Sequence, residues 1–176
     1  AGILDSSRFI YFLSQELNIL VKKIQSLVLG GHGDSMVAML DHTLIEGKKI
    51  SQCVDEGLIT KEKLNDIVNR TKKGGAEIVK YLEKGSAFYA PAASGVEMAE
   101  SYLKDLKKQL PCAVHLNGEY GTNDLYAGVP VIIGAKGVEK IIELSLSKDE
   151  KEKFDNSVKS VEDLFNAAKK IDPELN

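Results

Sequence analysis

The sequence contains very little arginine. Lysine and arginine together account for 23 of its 176 residues, and only Arg8 and Arg70 are arginines. A guanidinium group can grip a planar anion with two parallel hydrogen bonds, whereas an ammonium group acts as a point charge. Any two-pronged carboxylate contact made by this chain must therefore come from one of these two residues.

Positive charge and long apolar runs are also scarce. The formal net charge is −3 and the isoelectric point is about 5.7, with no basic stripe, so nothing favours sequence-independent binding of nucleic acid. Residues 129–133 form one of the longest apolar runs. That run is far below the roughly 18 to 20 residues of a membrane span. We expect a soluble protein with no nucleic-acid or membrane partner.

Cysteine is rare, which bears on the cellular compartment. Cys53 and Cys112 lie far apart and form neither a CxxC motif nor a disulfide framework. This usage is typical of a reducing compartment, and we expect two buried thiols in a cytoplasmic protein. The first residues lack an initiating Met and a signal-peptide pattern, so we expect the sequence to begin inside a longer protein.

Apolar periodicity predicts helices separated by glycine-rich breaks. The predicted helices cover residues 4–18, 60–82, 92–109 and 148–171. Gly74 and Gly75 interrupt the second of these. A glycine inside a helix costs about 1 kcal/mol relative to alanine, so this pair indicates a kink, a close approach of another backbone, or two separate helices.

Shorter patterns predict strands. These cover residues 24–29, 113–116, 125–133 and 138–144, with further extended structure at 36–45. There is no regular alternation of strands and helices. The predicted fold class is therefore α+β, with long helices packed on antiparallel strands in one domain covering residues 1–176.

The most informative motif is the string Gly30-Gly31-His32-Gly33-Asp34, which follows an apolar segment. Glycine neighbours leave the imidazole ring uncrowded and allow positive φ angles, which suits a side chain presented to a ligand. The alternative is a turn histidine with no role. For an isolated histidine we would favour that alternative, but the glycine-rich context favours a functional residue.

Asp5 and Arg8 form a second motif on the first predicted helix. Residues at positions i and i+3 lie on one helix face, so the carboxylate and the guanidinium project to the same side. Taken alone, this spacing usually gives a solvated ion pair worth less than about 1 kcal/mol. Together with the histidine turn, it supplies an acid to orient an imidazole and an arginine for a carboxylate.

A metal site is a weaker interpretation of the same region. His32, Asp34, Asp41 and His42 could be combined into a ligand set. Zinc and iron sites need three or four converging ligands with supporting context, and the sequence offers none. We therefore predict no metal.

These motifs together resemble the C-terminal half of the lactate/malate dehydrogenase family, most closely the bacterial-type malate dehydrogenases. The resemblance covers essentially the whole chain and is carried by residues 4–9, 28–37, 85–94 and 116–121. It implies the α+β fold of that catalytic, substrate-binding domain. It further implies that His32 is the acid/base, that Asp5 orients it, and that Arg8 binds the substrate carboxylate.

The resemblance also implies what this segment lacks. The family binds NAD mainly through an N-terminal Rossmann domain, but no Gly-x-Gly-x-x-Gly opens a helix here, and Gly134 to Gly137 is predicted to form a hairpin turn. The implied partners are malate or oxaloacetate, the chain's own nucleotide domain, and further copies in a homodimer or homotetramer. We expect the segment alone to be inactive.

Two alternatives stay open at this point. Lactate dehydrogenase shares the mechanism, and the loop that decides substrate specificity in the family is not in this sequence. The other alternative is a non-catalytic isolated domain or fragment that serves subunit association.

Overall fold

The computed structural model describes residues 2–175, which form six α-helices and eight β-strands. The helices are α1 (Gly2–Leu17), α2 (Ile50–Asp55), α3 (Lys61–Lys72), α4 (Gly74–Leu82), α5 (Tyr89–Leu103) and α6 (Lys148–Ile171). The strands are β1 (Ile24–Gln25), β2 (Val28–Gly30), β3 (Met36–Ala38), β4 (Leu44–Ile45), β5 (Lys48–Lys49), β6 (Lys108–Asn117), β7 (Asn123–Gly134) and β8 (Gly137–Ile141).

The strands form two antiparallel sheets. The larger sheet has the order β3-β2-β7-β6, with β8 also paired to β7, and the smaller has the order β1-β4-β5. The long hairpin of β6 and β7 supplies most of the larger sheet, and the turn predicted at Gly134 to Gly137 joins β7 to β8. The predicted α+β class is confirmed.

The β2–β3 hairpin is buried on both faces. Leu29 and Val37 join a core that includes Val129, Val131 and Phe154, whereas Val28 and Met36 join a second core under α1, α2 and α3. Successive side chains of a strand point to opposite faces, so the hairpin contributes to both cores. The loop that connects β2 to β3 is therefore held on a rigid support.

The glycine pair at positions 74 and 75 separates two helices. Of the three alternatives that the sequence left open, the structure adopts this one: α3 ends at Lys72 and α4 begins at Gly74. Thr60 is the predicted N-cap of α3, and its side chain accepts a hydrogen bond from the Lys63 amide at 3.1 Å.

The helix predicted at residues 92–109 is wrong at its C-terminal end. The helix runs from Tyr89 to Leu103, and the chain then turns through positive φ angles at Asp105 and Lys107. Ser101 fixes this turn, because its hydroxyl donates to the carbonyl of Ile133 at 2.7 Å and accepts from the amide of Lys108 at 3.2 Å. The sequence pattern missed it because the partner strand lies 32 residues away.

Several strand predictions also needed correction, including 24–29, which forms β1 and β2 in different sheets, and 138–144, where β8 ends at Ile141. The segment predicted as extended at 36–45 contains two short strands with a 3₁₀ turn between them, because Thr43 bonds back to Met39 and Leu40. The first strand of the long hairpin runs from Lys108 to Asn117 rather than 113–116, and its pairing continues through Pro111 opposite Pro130. Pairing with β7 overrides the weak local pattern there.

Both cysteines are buried and free, as the sequence predicted. Burial raises the pKa of the Cys112 thiol to about 11, so it stays protonated near neutral pH and packs as a small apolar group. No helix between residues 2 and 175 is long and apolar enough to cross a membrane.

Candidate active site

His32 lies in the loop between β2 and β3. Gly30 and Gly33 on either side of it have φ angles of 82° and 68°, which residues other than glycine rarely adopt. Gly30 also pairs with Gly128 of β7, where a Cβ on Gly128 would lie 2.6 Å from the Gly30 carbonyl oxygen. The glycines therefore let two backbones meet directly beneath the histidine.

The His32 ring is oriented by a carboxylate from α1. Its Nδ1 atom lies 2.7 Å from Oδ2 of Asp5, 27 residues earlier in the sequence. The ring is 53% exposed while the Asp5 side chain is 1% exposed. Because Nδ1 faces the buried carboxylate, Nε2 is the nitrogen left to meet a ligand.

Asp5 occupies a core position of α1. It shares a helical stripe with Phe9 and Leu13, both of which are fully buried. A buried carboxylate needs charged or hydrogen-bonding partners, and the first turn of a helix adds a favourable dipole. An aspartate in an otherwise apolar stripe is the sequence signal that marks this position.

Arg8 contacts the other oxygen of the same carboxylate. Its Nη1 atom lies 3.5 Å from Oδ1 of Asp5, and the Arg8 side chain is 10% exposed. The burial of both side chains distinguishes this pair from the solvated surface pair that an isolated Asp-x-x-Arg motif usually forms. This long contact uses only one of the five guanidinium N–H groups. Arg8 also lines a groove of about 290 Å³ with Tyr11, Ser94 and Glu97.

Sequence reasoning missed the part played by Gly74. A Cβ placed on Gly74 would lie 3.1 Å from Cδ and 3.4 Å from Nε of Arg8. A side chain at position 74 would therefore crowd the arginine stem, which would have to move by a few tenths of an ångström. The glycine pair in the sequence was the available signal, although its spacing did not reveal the partner.

The other candidate residues lie outside this site. Arg70 is bound through two hydrogen bonds to Glu77, His42 contacts the Ser145 carbonyl at 3.2 Å, and His115 contacts Asp124 at 3.2 Å. Within the described part of the chain, no group of three His, Cys, Asp or Glu side chains could hold a metal ion.

Comparison with known proteins identifies the family. Residues 3–171 match the model of the lactate/malate dehydrogenase, alpha/beta C-terminal domain. The chain belongs to the lactate/malate dehydrogenase family. The malate dehydrogenase of Pelagibacter ubique (strain HTCC1062) is 63% identical over 175 residues, which are 99% of this chain and 55% of that protein.

Solved structures of this family have the same fold. The malate dehydrogenase of Cryptosporidium parvum superposes with a TM-score of 0.93 at 45% identity, over 97% of this chain and 54% of that one. The lactate dehydrogenase of Eimeria maxima, solved with NADH and oxamate, superposes with a TM-score of 0.94 at 43% identity, over 98% of this chain and 54% of that one. The chain thus spans about half the length of these lactate/malate dehydrogenase relatives.

The described residues of this dehydrogenase domain lack the strand arrangement of a Rossmann-type dinucleotide site. A Rossmann site needs parallel strands with a glycine-rich turn that opens a helix. Every strand pairing recorded from residue 2 to residue 175 is antiparallel, and the cluster at Gly134 to Gly137 closes a hairpin. Within this segment, the site carries the groups for an acid or base and for an anion.

The Gly74 contact predicts a substitution effect on ligand binding. Gly74→Ala should displace the stem of Arg8 by a few tenths of an ångström and, with Arg8 as the expected carboxylate-binding residue, raise the KM for a carboxylate substrate severalfold, since a misaligned guanidinium makes weaker hydrogen bonds. Steady-state kinetics measure this change.

Gly75→Ala is the matched control. A Cβ there would lie 4.0 Å from Nη1 of Arg8, in ordinary contact, and alanine is the better helix former. We expect a KM close to that of the wild type. Equal KM values for both variants would refute the positional role of Gly74.

Proposed function

We propose that this chain is the substrate-binding half of an NAD-dependent malate dehydrogenase, in which His32 is the acid/base, Asp5 orients it and Arg8 binds the substrate carboxylate. The observation that carries the proposal concerns the buried carboxylate of Asp5. It contacts the ring of His32 through one oxygen and the guanidinium of Arg8 through the other. One residue thereby sets the relative position of a base and an anion clamp.

The chemistry of alcohol oxidation requires these groups. Converting a secondary alcohol to a ketone removes a hydride from carbon and a proton from oxygen. Neutral His32 accepts the hydroxyl proton at Nε2, and Asp5 stabilises the imidazolium through Nδ1. In the reverse direction, the imidazolium returns the proton to the oxygen of the ketone.

Arg8 fixes the orientation of the substrate. Its remaining donors hold the carboxylate next to the carbinol in a fork, which determines the hydrogen that faces the hydride acceptor. NAD accepts the hydride when bound, and we place its binding site mainly in an N-terminal nucleotide domain outside this segment.

Malate is preferred over lactate on the strength of sequence similarity. The malate dehydrogenase of Pelagibacter ubique is 63% identical, while structures of malate and lactate dehydrogenases superpose almost equally well. The fold therefore does not discriminate between the two substrates, and L-lactate dehydrogenase is the second candidate. We also propose a cytoplasmic homodimer or homotetramer that works in the tricarboxylic acid cycle.

The variant His32→Asn tests the acid/base role of His32. In the full-length protein, His32→Asn should lower kcat about 10²- to 10⁴-fold, because the amide side chain cannot hold the proton. Malate oxidation followed by NADH absorbance measures the loss. His115→Asn alters an exposed histidine outside the site and should leave kcat unchanged; near-normal turnover of His32→Asn would exclude the assigned role.

The two arginines provide a matched pair for the substrate clamp. Arg8→Lys should lower kcat/KM about 10- to 100-fold, because one ammonium group replaces a fork of two charged hydrogen bonds. Arg70→Lys changes the other arginine, which lies on the exposed side of α3 and binds Glu77. It should have little effect, and equal losses in both variants would argue against Arg8 as the clamp.

Expressing residues 1–176 alone tests whether this segment needs a separate nucleotide domain for activity. The ring of His32 is more than half exposed, so water reaches the proposed proton acceptor, and the segment has no dinucleotide cradle among its described residues. We expect no NAD-dependent malate oxidation. Measurable turnover by the purified segment would place the nucleotide site here and contradict this part of the proposal.

A further inference from the structure

A serine of the C-terminal helix contacts the backbone directly beside His32. Oγ of Ser157 in α6 accepts a hydrogen bond from the Gly31 amide at 2.8 Å, across 126 residues of sequence. Ser157 is 3% exposed, so this bond is shielded from water on the serine side. The residue that follows Gly31 is His32.

The fit between α6 and this loop is tight. A Cβ on Gly30 would lie 2.2 Å from Oγ and 2.9 Å from Cβ of Ser157, whereas a Cβ on Gly31 would lie 2.2 Å from Oγ of Ser35 in the same loop. The helix therefore occupies the space that a side chain at position 30 would fill. Glycine at position 30 therefore serves two purposes: it leaves space for Ser157, and it adopts a positive φ angle.

His32 is thus fixed from two sides. Asp5 of α1 holds the ring at Nδ1, and Ser157 of α6 holds the backbone one residue earlier. Arg8, in contrast, contacts Asp5 of its own helix and lies against Gly74 at the start of α4. A change at Ser157 should move the base and leave the anion clamp in place.

We propose that Ser157 is a positioning residue for His32, and that its hydroxyl sets the distance between Nε2 and the substrate hydroxyl. The inference rests on the proposed function, since it concerns the same proton transfer. A displacement of about 1 Å in a reacting group can cost up to about 100-fold in rate. We expect Ser157→Ala to lower kcat about tenfold while the KM for malate changes less than about twofold.

The solvent isotope effect separates positioning from general damage. A misplaced base slows the proton transfer, so the solvent deuterium isotope effect on kcat should rise in Ser157→Ala. A smaller fraction of folded enzyme would lower kcat without changing that effect, and this result would overturn the proposal. Thermal unfolding of each variant checks the folded fraction.

Two further variants complete the test. Ser160→Ala removes a hydroxyl from the same helix that bonds only the Asn156 carbonyl on the exposed side, and it should behave as the wild type. Ser157→Thr keeps the hydroxyl at a residue that lines a cavity of about 340 Å³. Ser157→Thr should restore kcat. A kcat of Ser157→Thr no higher than that of Ser157→Ala would overturn the proposal, and so would a kcat of Ser157→Ala equal to that of Ser160→Ala.

Failure of the proposed function would give a different result. In that case the wild-type protein would turn over neither malate nor lactate. The nitrogen resonances of the His32 ring then decide the positioning role, because they depend on the Asp5 contact and not on turnover. Ser157→Ala should shift them and Ser160→Ala should not; unchanged resonances in both variants contradict the role.

Discussion

The buried carboxylate of Asp5 organises the site. It lies in the apolar stripe of α1, between a half-exposed imidazole and an almost buried guanidinium. An unpaired carboxylate at this depth would cost several kcal/mol, so its neighbours must keep it solvated by charge and hydrogen bonds. The positions of the His32 ring and of the Arg8 guanidinium are thereby tied to one helix.

The surrounding fold keeps these contacts in register. The hairpin that carries His32 is buried on both faces, and Ser6 of α1 accepts a hydrogen bond from the amide of Val28 at 2.9 Å. Helix α6 closes the other side at Ser157. Helices α1 and α6, which are far apart in sequence, thus meet this hairpin from two sides, and α6 leaves no space for a side chain at position 30.

Close approach of another segment explains three of the glycines near the site. Gly30 and Gly128 bring two strands together, Gly30 also admits Ser157, and Gly74 admits the stem of Arg8. These positions look alike in the sequence, where a glycine predicts a turn, a bulge or a break. Which neighbour fills the space depends on segments that local patterns do not connect.

Local patterns were most successful where one helix or strand face decided the outcome. Helix α6 has the predicted bounds, and α1 differs by only one or two residues at each end. The errors lie where a distant partner intervenes, as at Ser101, whose bonds to Ile133 and Lys108 end the region predicted as helix. Strand bounds in β6 follow its partner β7 for the same reason.

The sequence by itself determined the fold class, the family resemblance and the three residues proposed for chemistry, because these depend on residue identity and on short spacings. Only the tertiary structure decided that one buried carboxylate contacts both His32 and Arg8, and that Gly74 and Ser157 support them. Such contacts join residues up to 126 positions apart. Their geometry arises from helix and sheet packing, which no local pattern in the chain encodes.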